Sequence, residues 1–91
     1  MTQPVSIDSD AQVIVLVQDR LVEWGWLPME VYVPGELDEA TVQAVTDFQN
    51  YYTENTGETL LPMYAELPVI ETDTLAVLMA DGDVAWLNPE M

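Results

Sequence analysis

Leu37-Asp38-Glu39-Ala40-Thr41-Val42-Gln43-Ala44-Val45 decides the reading of this chain, because its pattern returns as Ile70-Glu71-Thr72-Asp73-Thr74-Leu75-Ala76-Val77-Leu78. Each copy runs apolar, acidic, two mostly polar positions, Thr, apolar, one variable residue and two apolar residues. An acid ahead of an apolar helical pattern is an N-cap. Its carboxylate accepts from backbone N–H groups that have no partner inside the helix, and its charge suits the positive end of the helix dipole. With Asp38 as the cap, Leu37 and Val42 take the two positions of a hydrophobic staple, and Ile70 and Leu75 bear the same relation to Glu71. Glu caps less well than Asp, so the second start is the weaker of two helices entered in the same way.

Outward from this pair, a third helix precedes both. Ile14, Val17, Leu21 and Trp24 recur at spacings of three and four from Ala11 onward, which puts them on one face, and Val13 and Leu16 widen it. Asp8-Ser9-Asp10 supplies cap-type residues after an extended lead-in over residues 1–9. Gly25 closes the helix with a left-handed residue, and Pro28 prevents its continuation. A short extended piece is expected at Val31-Tyr32-Val33, closed by Pro34-Gly35. The second helix is expected over residues 38–52, with Val42, Val45, Phe48 and Tyr52 inward. Residues 53–59 read as a polar break and residues 60–68 as an ordered loop or short strand. The third helix is expected over residues 71–80, stopping at Asp81-Gly82-Asp83, with Trp86 and Leu87 of the tail packed back on the core. The fold class is therefore all-α, a small three-helix bundle with long loops and an internal pseudo-repeat of the helix start. Loops of this length between short helices carry a function or ordered structure of their own.

The 91 residues fit one domain spanning 1–91, with its core at about 11–80 and a tail at 81–91; 49% of residues are hydrophobic and none is Cys, so stability must come from packing. Seventeen acidic residues stand against one basic residue, Arg20, and no His, for a formal net charge of -16. That field repels phosphate backbones and anionic lipid, which excludes nucleic acid and membrane surfaces as direct partners. No run reaches the roughly 18 to 20 apolar residues of a membrane span, and no secretory signal is visible in this segment. The expectation is a cytoplasmic protein or a domain cut from a longer secreted chain, the latter lying outside the cytoplasm or in the cell wall.

Three blocks resemble a known family. Ile14-x-x-Val17-Gln18-x-x-Leu21-x-x-Trp24-Gly25-Trp26-Leu27 resembles the first helix of the peptidoglycan-binding-domain-like family. Gly35-x-Leu37-x-x-x-Thr41-x-x-Ala44-Val45-x-x-Phe48-Gln49 is similar to its central signature, and Ile70-x-x-x-Thr74-x-x-x-Leu78 to its closing segment. The chain departs from the family pattern in having Glu71 for a Gly, Trp24 for a Leu, and a longer segment after Phe48-Gln49. The resemblance implies a three-helix bundle that binds cell-wall peptidoglycan without covalent chemistry, as an accessory to a wall enzyme. The alternative is a domain that keeps this fold but has lost the glycan, with an acidic face that holds a basic protein partner.

Candidate binding residues follow from chemistry. Sugar rings present flat C–H faces to aromatic side chains, so Trp26, Tyr32, Tyr52 and Tyr64, in or beside loops, are candidates to line a groove for peptidoglycan or a muropeptide, against the competing reading of core mass. Trp24 and Phe48 belong to the core. Gln18 and Gln49 have two readings, as ligand groups or as partners of loop backbone that would otherwise be buried unpaired, and the second is favoured. Thr41 and Thr74 fall on first helical turns and bond local backbone. No catalytic residue is assigned, since without His, Cys or Lys there is no ordinary nucleophile with a neighbouring base. Neither a metal site nor a cofactor is expected.

Overall fold

The computed structural model describes residues 3–62, 66–80 and 87–89. Five elements follow in the order β1 (Val5–Ser6), α1 (Ala11–Glu23), α2 (Glu39–Thr56), β2 (Val69–Ile70) and α3 (Thr72–Leu78). The chain is broadly helical, and the all-α expectation is corrected by a two-stranded antiparallel sheet in which Val5 faces Ile70 and Ser6 faces Val69. Val5 and Ile70 are both buried, so the sheet ties the lead-in to the entrance of α3 through an apolar pair as well as backbone bonds. The extended piece expected at Val31-Tyr32-Val33 does not form; the backbone bends at Val31 and Tyr32, between turns at Met29-Glu30 and Pro34-Gly35.

Asp10 caps α1 by accepting from the Gln12 N–H at 2.9 Å. The other end closes on Gly25 at φ +82°, where the Trp26 N–H reaches the Leu21 carbonyl at 2.8 Å and the Gly25 N–H reaches that of Val22 at 3.0 Å. These are the paired bonds of a left-handed glycine cap. Arg20, the chain's one cation, lies 5.2 Å from the Trp24 ring centroid and 3.6 Å from Glu23, in the last turn where a positive charge suits the dipole.

α2 begins as read from the sequence. Asp38 accepts from the Thr41 N–H at 3.0 Å and from the Thr41 hydroxyl at 2.6 Å, Leu37 is buried, and Val42 packs against the core. Its end differs, because the helix runs on to Thr56 before Gly57 closes it at φ +77°. The polar residues expected to break it support its last turn instead: the Asn55 amide donates to the Tyr51 carbonyl and the Thr56 hydroxyl to that of Tyr52.

The core gathers Ile14, Val17, Leu21 and Trp24 of the first helix and its cap, Ala44, Val45 and Phe48 of α2, and Leu75 and Leu78 of α3, with Leu27, Leu37 and the two strand residues. Val13 packs against it, but Leu16 is 52% exposed and does not widen the buried face. Leu87 is exposed, and the tail is fixed instead by Asn88, whose N–H donates to the Trp24 carbonyl and whose amide donates to that of Gly25. Trp86 and Asp81-Gly82-Asp83 lie outside the described residues.

Candidate functional site

Two buried glutamines organise the loops. The Gln18 amide, with no solvent exposure, donates to the carbonyls of Val33 and Glu36 and to the Thr41 hydroxyl, while its oxygen accepts from the Gly35 N–H at 2.9 Å. Asp38 completes the cluster through the Val33 N–H at 2.8 Å. Burial raises the Asp38 carboxyl, but hydrogen bonds from the Thr41 hydroxyl and the Val33 and Thr41 N–H groups outweigh it and hold the group below the usual carboxylate range. Gly35 sits at φ +83°, where a Cβ would come within 3.1 Å of the Ala11 Cβ.

The second cluster repeats the first with a substitution of parts. The Gln49 amide donates to the Leu61 carbonyl and the Thr74 hydroxyl, both at 2.9 Å. The carboxylate comes from Asp73, which accepts from the Leu61 N–H at 2.8 Å and the Thr74 N–H at 2.7 Å. Glu71 occupies the N-cap of α3 but makes no side-chain capping bond, so the expected parallel with Asp38 holds in position and not in chemistry. Asp73 does what Glu71 was read to do. Gln18, Gln49, Thr41 and Thr74 are thus committed to internal partners, and among the described residues no buried side-chain nitrogen or oxygen is left without one.

The candidate aromatics separate. Tyr52 is buried, its ring centroid 6.5 Å from that of Phe48, and its hydroxyl donates to Glu58 at 3.0 Å. That bond, followed by burial, pushes the phenol above its ordinary value. Tyr32 packs half-buried against the core, and Tyr64 lies outside the described residues. Trp26 lines a sizeable cleft. Its ring sits 6.1 Å from Phe48 and 5.2 Å from Tyr51, centroid to centroid, with an interplanar angle of 48° to the tyrosine.

This cleft, about 380 Å³, opens between the α1 cap and the outer face of α2. Trp26 and Tyr51 supply aromatic surface, Asn50 and Asn88 amides, and Asp47 and Glu54 carboxylates. Tyr51 and Asn88 were not anticipated. Adjacent helical residues differ by about 100° in direction, so Tyr52 on the inward stripe implies Tyr51 outside it, and helical phase alone would have selected the right tyrosine. Asn88 carries no local pattern and reaches the cleft because it anchors the returning tail to the end of α1.

No family model, no curated protein and no solved structure matches the chain. Among the described residues no group of three or more acidic side chains is placed to hold a metal ion, and no helix is long and apolar enough to cross a membrane.

Proposed function

We propose that the chain is a non-catalytic module, a three-helix pseudo-repeat of the peptidoglycan-binding-domain-like kind, which attaches a partner domain to bacterial cell-wall peptidoglycan through the cleft beside α2. The observation that carries this reading is the pairing of Trp26 with Tyr51 next to the Asn50 and Asn88 amides. Aromatic faces suit the C–H faces of pyranose rings, and amides and carboxylates suit their hydroxyls and N-acetyl groups. The clamp residues lend support, since Gln18, Thr41, Gln49 and Thr74 are positions that carry the resemblance and here hold the loops.

Charge shapes the expected binding. Asp47 and Glu54 flank the cleft of a chain at -16, so anionic wall polymers are repelled, while salt near 0.15 M screens that repulsion beyond roughly 8 Å. Amines on the peptide stems offset it at short range. Binding is weak and strengthens with added salt or divalent cations. Co-sedimentation with purified sacculi over a salt series tests the reading, with Tyr51→Ala reducing affinity about tenfold for a lost stacking contact while circular dichroism stays unchanged. No retention at any salt concentration, with or without magnesium, overturns it.

One observation favours a second reading. Met29, Val31 and Val33 are 75%, 58% and 49% exposed in a single loop, and an apolar run within an acidic surface suits a protein partner with basic flanks. Capture of such a partner would weaken steeply with salt, the opposite of the wall-binding trend.

A further inference from the structure

Two carboxylates border the cleft beside α2, and the chain has almost no positive charge to set against them. Asp47 and Glu54 stand one turn before and one turn after Tyr51 on the same helix face, at spacings of four and three where side chains meet. Both therefore flank the Tyr51 ring, which is splayed at 48° from that of Trp26 with centroids 5.2 Å apart. The rest of the lining, Asn50, Asn88 and Pro89, is uncharged. Arg20, the one basic side chain in the sequence, is held at the end of α1, 5.2 Å from the Trp24 ring centroid and 3.6 Å from Glu23. That trio shows the arrangement complete: an aromatic face, a carboxylate and the cation they share. The cleft supplies the first two parts twice over, and with Arg20 committed elsewhere the third has to come from outside the chain.

We infer that the cleft binds a small quaternary ammonium ion such as choline, with its methyl groups against Trp26 and Tyr51 and its charge compensated by Asp47 and Glu54. A cation over an aromatic face is drawn to the negative side of the ring quadrupole, most strongly by Trp. A quaternary ion has no N–H donors and holds water loosely. It enters a partly aromatic cleft with less loss of hydration than a lysine ammonium, which is a compact and strongly hydrated charge. The Gln43 amide donates to one Asp47 oxygen at 2.9 Å and steadies that carboxylate, which has about four acceptor sites in all. A formal net charge of -16 draws cations to the surface, and it disfavours the same ammonium group carried on a phosphate. The inference goes beyond glycan binding and does not rest on it, because a neutral sugar makes no use of two adjacent negative charges.

The test titrates three probes into the whole chain at fixed ionic strength: choline, phosphocholine, and the neutral alcohol in which carbon replaces the choline nitrogen. Binding is followed by the NMR signals of the Trp26 indole and the Tyr51 ring. Choline shifts both with a dissociation constant of about 1–10 mM, as expected for partly exposed cation–π contacts. The neutral alcohol, equal in shape, binds about tenfold more weakly, and phosphocholine also binds more weakly than choline. Asp47→Asn combined with Glu54→Gln lowers choline affinity about fivefold and leaves that of the alcohol as it was. Tyr51→Leu, which keeps apolar mass but removes the ring, lowers choline affinity while Tyr51→Phe retains it; if the leucine variant misfolds by circular dichroism, the carboxylate variant decides. Raising NaCl from about 0.05 to about 0.5 M weakens choline binding by screening, the opposite of the trend expected for sacculi. Equal affinity for choline and its carbon analogue, phosphocholine binding as tightly as choline, or no shift with choline at about 100 mM overturns the cation site and leaves wall binding to its own test. Choline shifts that persist in a chain never retained on sacculi overturn wall binding alone.

Discussion

Replacing Gln18 with leucine removes the most heavily hydrogen-bonded side chain among the described residues. Four hydrogen bonds disappear, three donated by its amide to Val33, Glu36 and Thr41 and one accepted from the Gly35 N–H. A typical intramolecular hydrogen bond contributes about 0.5–1.5 kcal/mol, and a buried group left unsatisfied costs about 1–3 kcal/mol. Val33 and Glu36 are exposed residues, so water can reclaim part of what their carbonyls lose. The Thr41 hydroxyl, wholly buried, has no such recourse, although it keeps its bond to Asp38. The sum is about 3 kcal/mol, against about 5–14 kcal/mol expected for a chain of this length. Urea denaturation of wild type and Gln18→Leu measures it directly, and the melting temperature should fall by more than about 10 °C. Gln49→Leu loses two partners, Leu61 and Thr74, and should cost less, about 2 kcal/mol. A Gln18→Leu cost below about 1 kcal/mol, or a larger cost at Gln49, would refute the reasoning that these side chains hold the loops.

Gly35→Ala should destabilise by about 1–3 kcal/mol through its left-handed backbone, and Ala11→Gly should recover only the part due to the contact between the two Cβ atoms; complete rescue would show the backbone conformation to be unimportant. Asp38→Asn keeps an acceptor for the Thr41 N–H but weakens the bonds around Val33, for about 1 kcal/mol at pH 7. Because folding depresses the Asp38 pKa, its contribution is present above the ordinary carboxylate value near 3.8 and is lost as pH falls through the folded value, so the gap between wild type and variant narrows toward pH 3. An equal gap at pH 7 and pH 3 would exclude that origin. Asn88→Ala removes the side-chain bond to the Gly25 carbonyl and leaves the tail held there by the backbone bond of residue 88 to the Trp24 carbonyl, so it should speed amide exchange at residues 87 and 88 while leaving α1 protection intact; unchanged exchange there would show that the side chain is not part of the anchor.

Asp38 with Leu37, Thr41 and Val42 was legible because each signal is local, with a cap, a staple and a first-turn hydroxyl all within six residues. Gly25 was legible for the same reason. The extension of α2 through Thr53–Glu54–Asn55–Thr56 was not, since Thr53, Asn55 and Thr56 have low intrinsic helix preference, and the Asn55 and Thr56 side chains hold the last turn by bonding back to carbonyls four residues earlier. The pairing of Val5 with Ile70 joins strands two residues long, too short to display an alternating pattern. Asp73 was masked by the register of the repeat, which directed attention to Glu71 two residues before it. In the cleft, Trp26 was found from its loop position, but Tyr52 was preferred over Tyr51 because loop proximity was weighed above helical phase.

The duplication explains why α2 has an outer face to spare. In the first unit α2 is the receiving helix and contributes Thr41 to the Gln18 clamp. In the second it is the donating helix and contributes Gln49 to the Thr74 clamp. Both clamps, together with Ala44, Val45, Phe48 and Tyr52, occupy its buried side. Every residue that fixes the loops is thereby drawn to one face, and positions 47, 50, 51 and 54 fall on a stripe that no clamp uses. Substitutions on this stripe are therefore expected to change ligand binding with little effect on stability, whereas substitutions at positions 41 and 49 should act through stability. A Tyr51→Ala variant destabilised as much as Gln49→Leu would break this division and with it the argument that the cleft is free to serve a ligand.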